Sequence, residues 1–178
     1  MNKLLSCELT LIAACGLRGE LGLNNQLPWH QETDLRFFAH TTQNSVLIMG
    51  RRTFESLGKK LPGRTHCILS KQMVNHDPEL IILADLNMLY EWVSQNNIKK
   101  AFVIGGAQLY HQLAPYCSSI LITHIHGIVK ADTFLNFNIL WDCELTQAHF
   151  APADQKNQFN MTFAKYSNPY VKDLKDIV

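Results

Sequence analysis

Short apolar runs alternate with amphipathic stretches along the first two thirds of the chain. The runs fall at residues 9–15, 45–49, 66–69, 80–83, 101–104 and 120–125, and most positions in them are apolar. Strands buried on both faces read this way, and such strands belong to parallel sheets covered by helices. Between them, residues 31–42, 53–57, 86–96 and 108–114 carry the patterning of helices. This alternation predicts an α/β fold with a mostly parallel sheet and helices on both faces. The final third changes character. Residues 134–138 and 159–166 alternate apolar with polar, and a polar stretch at 153–157 lies between the last two elements. That pattern predicts an antiparallel hairpin at the sheet edge. There is no internal repeat, low-complexity segment or interdomain linker.

Composition narrows the class. A chain of 178 residues, 47% hydrophobic and 17% charged, is one domain with an ordinary core. Sixteen basic residues oppose fifteen acidic ones, so no global field favours nucleic acid or a membrane surface. Five cysteines, at 7, 15, 67, 117 and 143, are odd in number and form no CxxC pair. They argue against a disulfide framework and against zinc, and fit a reducing cytoplasm. Leu11-Ile12-Ala13-Ala14-Cys15-Gly16 resembles the cleavage box of a lipoprotein signal. However, Ser6, Glu8 and Thr10 interrupt the upstream run and only Lys3 precedes it, so a buried first strand is the better reading. No apolar run approaches the length needed to cross a bilayer.

The chemistry starts at Asp34, in Leu27-Pro28-Trp29-His30-Gln31-Glu32-Thr33-Asp34-Leu35-Arg36-Phe37-Phe38. Pro28 suits a turn leading into a helix. In a helix beginning near Gln31, Asp34 neighbours Phe37 and Phe38, while Glu32 and Arg36 pair on the outer side. A carboxylate against aromatic rings loses hydration and its pKa rises, which makes a proton donor near neutral pH. An Asp stabilised by the dipole in a first helical turn fits the same residues.

Val103-Ile104-Gly105-Gly106-Ala107 runs from a buried strand into a helix near Gln108. Glycines let a ligand approach the backbone, and a helix N-terminus offers N–H groups to phosphate. The run is neither GxGxxG nor a P-loop, and a plain tight turn also explains it. Ile48-Met49-Gly50-Arg51-Arg52-Thr53 repeats the architecture, and Leu69-Ser70-Lys71 adds a third strand end with a hydroxyl and a cation. Open α/β sheets bind ligands beyond the carboxyl ends of their strands, so three such ends suggest a phosphate-rich cofactor. Leu61-Pro62-Gly63-Arg64 is a turn that leaves Arg64 either solvated or holding a carboxylate. His124-Ile125-His126 places two histidines on one strand face without a third ligand at a plausible offset, and zinc is disfavoured. Thr123, on the other face, is placed to hydrogen-bond an acid or a ligand.

Taken together, these segments resemble dihydrofolate reductase. The matching pieces are Gly22 with Asn25-Gln26-Leu27-Pro28-Trp29, Asp34-Leu35 with Phe38, Ile48-Met49-Gly50-Arg51, Leu61-Pro62-Gly63-Arg64, Ile104-Gly105-Gly106, Tyr110, Thr123-His124-Ile125 and Asp132-Thr133. They stand in the family's order and spacing. The resemblance implies an eight-stranded sheet, a domain over residues 1–167 with a tail of unassigned role at 168–178, and a cytoplasmic monomer. It implies NADPH as cofactor, dihydrofolate as substrate and antifolates as inhibitors, with no resident metal. Asp34 would bind the pterin's amino group and ring nitrogen, supported by Thr123. Trp29 would help hold a water, and Leu27 would sit on a mobile loop over the nicotinamide. Ile12 and Ile104 would offer carbonyls to the pterin, with Leu35, Phe38, Leu57, Leu61 and Tyr110 around the substrate and Arg64 clamping its glutamate α-carboxylate. Ala14, Gly22, Asn25, Gln26, Gly50, Leu69, Ala107, Gln108, Leu109 and Tyr110 would contact the cofactor. Arg51, Arg52, Thr53, Ser70 and Lys71 would hold its phosphates, with Arg51 and Lys71 favouring NADPH over NADH, and Gly105-Gly106 would form a cis peptide beside it.

Departures from the family pattern are modest. Ala107 replaces a frequent third glycine, Gln108 stands where a basic contact is common, Phe54 replaces a tryptophan, and Lys59 lies at a position that is often basic. No second pocket carboxylate is expected, so the proton for N5 would pass through water under the influence of Asp34. Two rivals are a riboflavin-pathway reductase of the same fold, which acts on a ribosylated pyrimidine, and a non-catalytic nucleotide-binding module. Asp34 with Leu27-Pro28-Trp29 argues against the first, and Asp34, Thr123 and Gly105-Gly106 together argue against the second.

Overall fold

The computed structural model describes residues 7–74 and 77–177. Lys3 and Ser6, which entered the lipid-anchor reading, lie outside those residues. Among the described residues, ten strands and four α-helices form, in chain order: β1 (Glu8–Cys15), β2 (Glu20–Gly22), α1 (Glu32–Thr41), β3 (Val46–Gly50), α2 (Arg51–Leu57), β4 (Thr65–Leu69), β5 (Leu80–Leu83), α3 (Leu86–Gln95), β6 (Lys100–Gly105), α4 (Ala107–Leu113), β7 (Cys117–Ile125), β8 (Thr133–Phe134), β9 (Glu144–Ala151) and β10 (Met161–Ser167). Eight of the strands make one sheet in the order β5-β4-β3-β6-β1-β7-β10-β9. Neighbours from β5 through β7 are parallel, and β10 pairs antiparallel with both β7 and β9. The mostly parallel sheet with an antiparallel edge is therefore present.

The period-2 alternation of each strand divides the core between the two faces. Leu9, Leu11, Val46, Ile48, Ala101 and Val103 pack on one side with Leu89 and Val93 of α3 and Leu109 and Leu113 of α4. Ile12, Leu47, Met49, Ile68, Phe102 and Ile104 pack on the other, against Phe37, Phe38, Phe54 and Leu57 of α1 and α2. Asp85 caps α3 by accepting the Met88 amide at 3.0 Å. Gly58, at φ 67°, ends α2 in the left-handed conformation that glycine adopts without strain.

The edge hairpin needs a correction. Its first strand is β9, not residues 134–138. Phe134 lies in β8, which pairs with β2, and Phe137–Leu140 is a 3-10 turn. Edge strand β9 is exposed at seven of its eight positions, so neither face imposed the alternation that marks a half-buried strand. The polar stretch 153–157 does connect the hairpin, through a turn in which Asp154 and Asn157 bond each other's backbone.

Candidate active site

Asp34 sits in the first turn of α1 and is only 8% exposed. The start of that helix is held by the β9–β10 connection. The Gln31 side chain donates to the Phe159 carbonyl at 2.8 Å and accepts the Phe159 amide at 2.9 Å, and Asn157 accepts the Thr33 amide at 3.0 Å. Gln31 and Asn157 are both buried, and no short-range motif marked them. On the outer face Arg36 pairs with Glu32, as helical spacing predicts. Burial pushes the Asp34 carboxyl above the ordinary aspartate range, and a hydrogen bond with the Thr123 side chain on β7 opposes part of that rise.

Asp34 lines a cleft of about 960 Å³ along the carboxyl ends of the parallel strands. Around it stand Ile12 from β1, Ile104 from β6, Leu35 and Phe38 from α1, Leu57 from α2, Tyr110 from α4 and Leu27. The Tyr110 hydroxyl, buried with its ring, donates to the Ile12 carbonyl at 2.8 Å. Farther along lie Ala14, Gly22, Asn25, Gln26, Gly50, Arg51, Arg52, Thr53, Leu69, Ser70, Lys71 and the segment Gly106, Ala107, Gln108 and Leu109. The Gly105–Gly106 peptide is cis, and Gly105 has φ 116°. A Cβ on Gly105 would come within 3.2 Å of the Tyr110 hydroxyl, so a glycine here lets the Tyr110 ring pack close against the backbone. Thr123 and Asp85 stand five strand spacings apart in the sheet order, a span of roughly 24 Å at ~4.8 Å per strand.

The loop before α1 folds around Glu20, whose side chain is fully buried and accepts the Arg18 Nε at 2.8 Å. Burial raises that carboxyl, but the hydrogen bonds from Arg18 and the backbone outweigh it and hold Glu20 below its ordinary value. Asp132 accepts the Asn24 amide at 2.7 Å and donates its own amide to the Gly22 carbonyl at 3.0 Å. Asn25 donates to the Arg52 carbonyl at 3.2 Å, which joins the loop to α2.

Five expected site residues do not line the cleft: Trp29, Leu61, Arg64, Gly105 and Thr123. Thr123 reaches it through Asp34. Trp29 is buried, with its indole N–H unpartnered among the described residues. Arg64 donates to the Pro62 carbonyl at 2.8 Å and to the Ala39 carbonyl, and its Nε is buried without a partner among the described residues. Leu61 packs behind the cleft against the core on the α1–α2 side. Ala13, Leu21, Ser56, Ala84, Asp85, Leu86, Gln112 and Thr133 line the cleft without having been expected there. Ala84 and Asp85 leave the carboxyl end of β5, the same signal that pointed to the other three strand ends. Asp85 also corrects the expectation of no second pocket carboxylate, although it stands at the far end from Asp34. His124 bonds Tyr166 at 2.8 Å and His126 bonds Thr162 at 2.9 Å. Among the described residues, no three His, Cys, Asp or Glu side chains are grouped to hold a metal.

A dihydrofolate reductase family model matches residues 8–168. Dihydrofolate reductase type 9 from Escherichia coli is 34% identical over 171 residues, covering 91% of this chain and 94% of its own. Dihydrofolate reductase from Haemophilus influenzae is 35% identical over 161 residues, with 86% and 94% covered. Among solved structures, dihydrofolate reductase from Enterococcus faecalis, complexed with NADP(H) and RAB-propyl, superposes with a TM-score of 0.79 at 26% identity, covering 91% of this chain and 96% of that one. With the cleft, the buried acid and the ordered segments that build them, these matches establish that the chain belongs to the dihydrofolate reductase family.

Proposed function

We propose that Asp34 carries the chemistry of this cleft, gripping the pterin of dihydrofolate and promoting protonation of N5. The activity is that of a dihydrofolate reductase, the NADPH-dependent reduction of 7,8-dihydrofolate to 5,6,7,8-tetrahydrofolate that supplies one-carbon metabolism and nucleotide synthesis. One observation carries the reading: a buried carboxyl with a raised pKa closes one end of a cleft whose other end carries cations and hydroxyls. Cleft and acid together suit a neutral, planar heterocycle beside a phosphorylated cofactor.

The residues present fit NADPH. Arg51, Arg52 and Lys71 with the hydroxyls of Thr53 and Ser70 are a donor set for phosphate, and Gly106 leaves the wall beside it without a side chain. NADPH, when bound, supplies the hydride for pterin C6. Asp34 receives the pterin's amino group and ring nitrogen as hydrogen-bond donors, with Thr123 fixing the orientation of its carboxyl. The Ile12 carbonyl has a second lone pair beyond the Tyr110 hydrogen bond, and with Ile104 it accepts from the heterocycle. Leu35, Phe38 and Leu57 pack around the substrate, and Leu27 on its loop keeps bulk water from the reacting edge. Among the described residues no other carboxylate lines that end of the cleft, so the proton for N5 passes through water, for which the buried Trp29 indole N–H, unpartnered among those residues, is a candidate donor. Arg64, outside the cleft lining and held by the Pro62 and Ala39 carbonyls, remains the candidate for the substrate's glutamate α-carboxylate.

No described helix is long and apolar enough to cross a membrane. A cytoplasmic monomer that binds dihydrofolate and antifolates, and no nucleic acid, completes the proposal, with residues 168–178 as a tail outside the chemistry. Incubation of the purified chain with NADPH and dihydrofolate tests it. Loss of NADPH absorbance with formation of tetrahydrofolate is expected. Binding without turnover would overturn the catalytic reading, and turnover only with a ribosylated pyrimidine would move the chain to the riboflavin-pathway reaction.

A further inference from the structure

The far end of the cleft carries charges of both signs, Lys71 and Asp85. Strands β4 and β5 are parallel with Leu69 opposite Leu83, and the Ser70 amide donates to the Leu83 carbonyl at 2.9 Å. Ser70 and Lys71 follow the end of β4, and Ala84 and Asp85 follow the end of its neighbour β5. All four line the cleft. One Asp85 oxygen is committed to the Met88 amide as the cap of α3, so the carboxylate is fixed in place while the other oxygen is available. No salt bridge among the described residues engages Asp85 or Lys71. Across the same end, Arg51 already holds a counter-charge, with Nη1 at 2.5 Å from Glu55.

A phosphate dianion brings only acceptors and negative charge to such a site, whereas a ribose hydroxyl can donate to a carboxylate. We infer that Asp85 is a specificity-determining residue that narrows the preference for the 2′-phosphorylated dinucleotide, resisting the phosphate and accepting a hydrogen bond from the free 2′-hydroxyl of its unphosphorylated counterpart. This deepens the reading of the cleft given above and rests on it. Arg51 and Lys71 set the direction of the preference, and Asp85 sets its size.

The test is titration calorimetry of the full chain with NADP⁺ and with NAD⁺ at low salt, for the wild type, Asp85→Asn and Asp85→Ser. Both substitutions keep a side chain able to cap α3, so the charge is removed with the helix start retained. The ratio of the NAD⁺ Kd to the NADP⁺ Kd is expected to rise about fivefold, the scale of one exposed charge contact. Added salt should shrink that rise. The steady-state preference between NADPH and NADH should move the same way, through the cofactor KM. An unchanged ratio, or equal losses for both nucleotides as a purely structural cap would give, overturns the assignment. A wild type that binds neither nucleotide overturns the cleft reading itself, and this inference with it.

Discussion

Tyr110→Phe isolates one oxygen that joins the core to the pterin end of the cleft. The side chain is 5% exposed, and its hydroxyl donates to the Ile12 carbonyl at 2.8 Å, from α4 to β1. Burial, together with the charges of Cys15 and Asp34, pushes its ionisation well above the ordinary tyrosine value, so it remains an O–H donor at any working pH. Removing the oxygen leaves a carbonyl on a residue only 5% exposed without that donor. An unsatisfied buried acceptor costs about 1–3 kcal/mol. Taking about 2 kcal/mol, a domain of this size should lose roughly 4–8 °C in Tm. The same carbonyl is proposed to face the pterin, so kcat/KM for dihydrofolate should fall by roughly tenfold, the kinetic equivalent of about 1.4 kcal/mol. Differential scanning calorimetry and steady-state kinetics at pH 7 read both effects. A phenylalanine variant with wild-type Tm and wild-type kcat/KM would refute the claim that this hydrogen bond organises the site.

Three further outcomes follow from the same geometry. Asp34→Asn should be more stable than the wild type at neutral pH. The folded state holds the Asp34 proton more tightly than the unfolded chain does, so the associated stability is present at low pH and lost as pH rises from the ordinary aspartate value through the raised folded one. The Tm difference between variant and wild type should therefore open with rising pH, and a constant or closing difference contradicts it. Thr123→Val removes the hydrogen bond that lowers the Asp34 pKa, so the fall of kcat/KM with rising pH should move to higher pH, and an unmoved fall rejects the coupling. Replacing Arg51 and Lys71 together by Ala should weaken NADPH by roughly ten- to a hundredfold, at about 1.4 kcal/mol per tenfold, and NADH far less. Equal losses for both reject the 2′-phosphate assignment.

How far the chain could be read before its structure varied with burial and with range. Strands covered on both faces, such as Val46–Gly50, are apolar almost throughout and stood out. The edge strand Glu144–Ala151 has no buried face to pattern it, so the hairpin was drawn with the wrong partner. Asp34 was legible because an acid beside Phe37 and Phe38 conflicts with a helix that must cover a core. The strand-end rule found Gly50-Arg51, Ser70-Lys71 and Gly105-Gly106, and applied to Leu80–Leu83 it would have found Asp85. Gln31 and Asn157 were not legible, because their partnership joins segments more than a hundred residues apart. Arg64 was picked out for its charge, whereas its carbonyl partners at Ala39 and Pro62 exist only once α1 and the Pro62-Gly63 turn are packed together.

The role of Asp34 is tested most directly by single-turnover hydride transfer in the Asp34→Asn enzyme, followed as a function of pH with NADPH and dihydrofolate both bound. The predicted result is a loss of about 10²- to 10⁴-fold at pH 7, the usual weight of a positioned acid, with partial recovery toward low pH, where the substrate arrives already protonated. A variant that transfers hydride at the wild-type rate at pH 7 would contradict it.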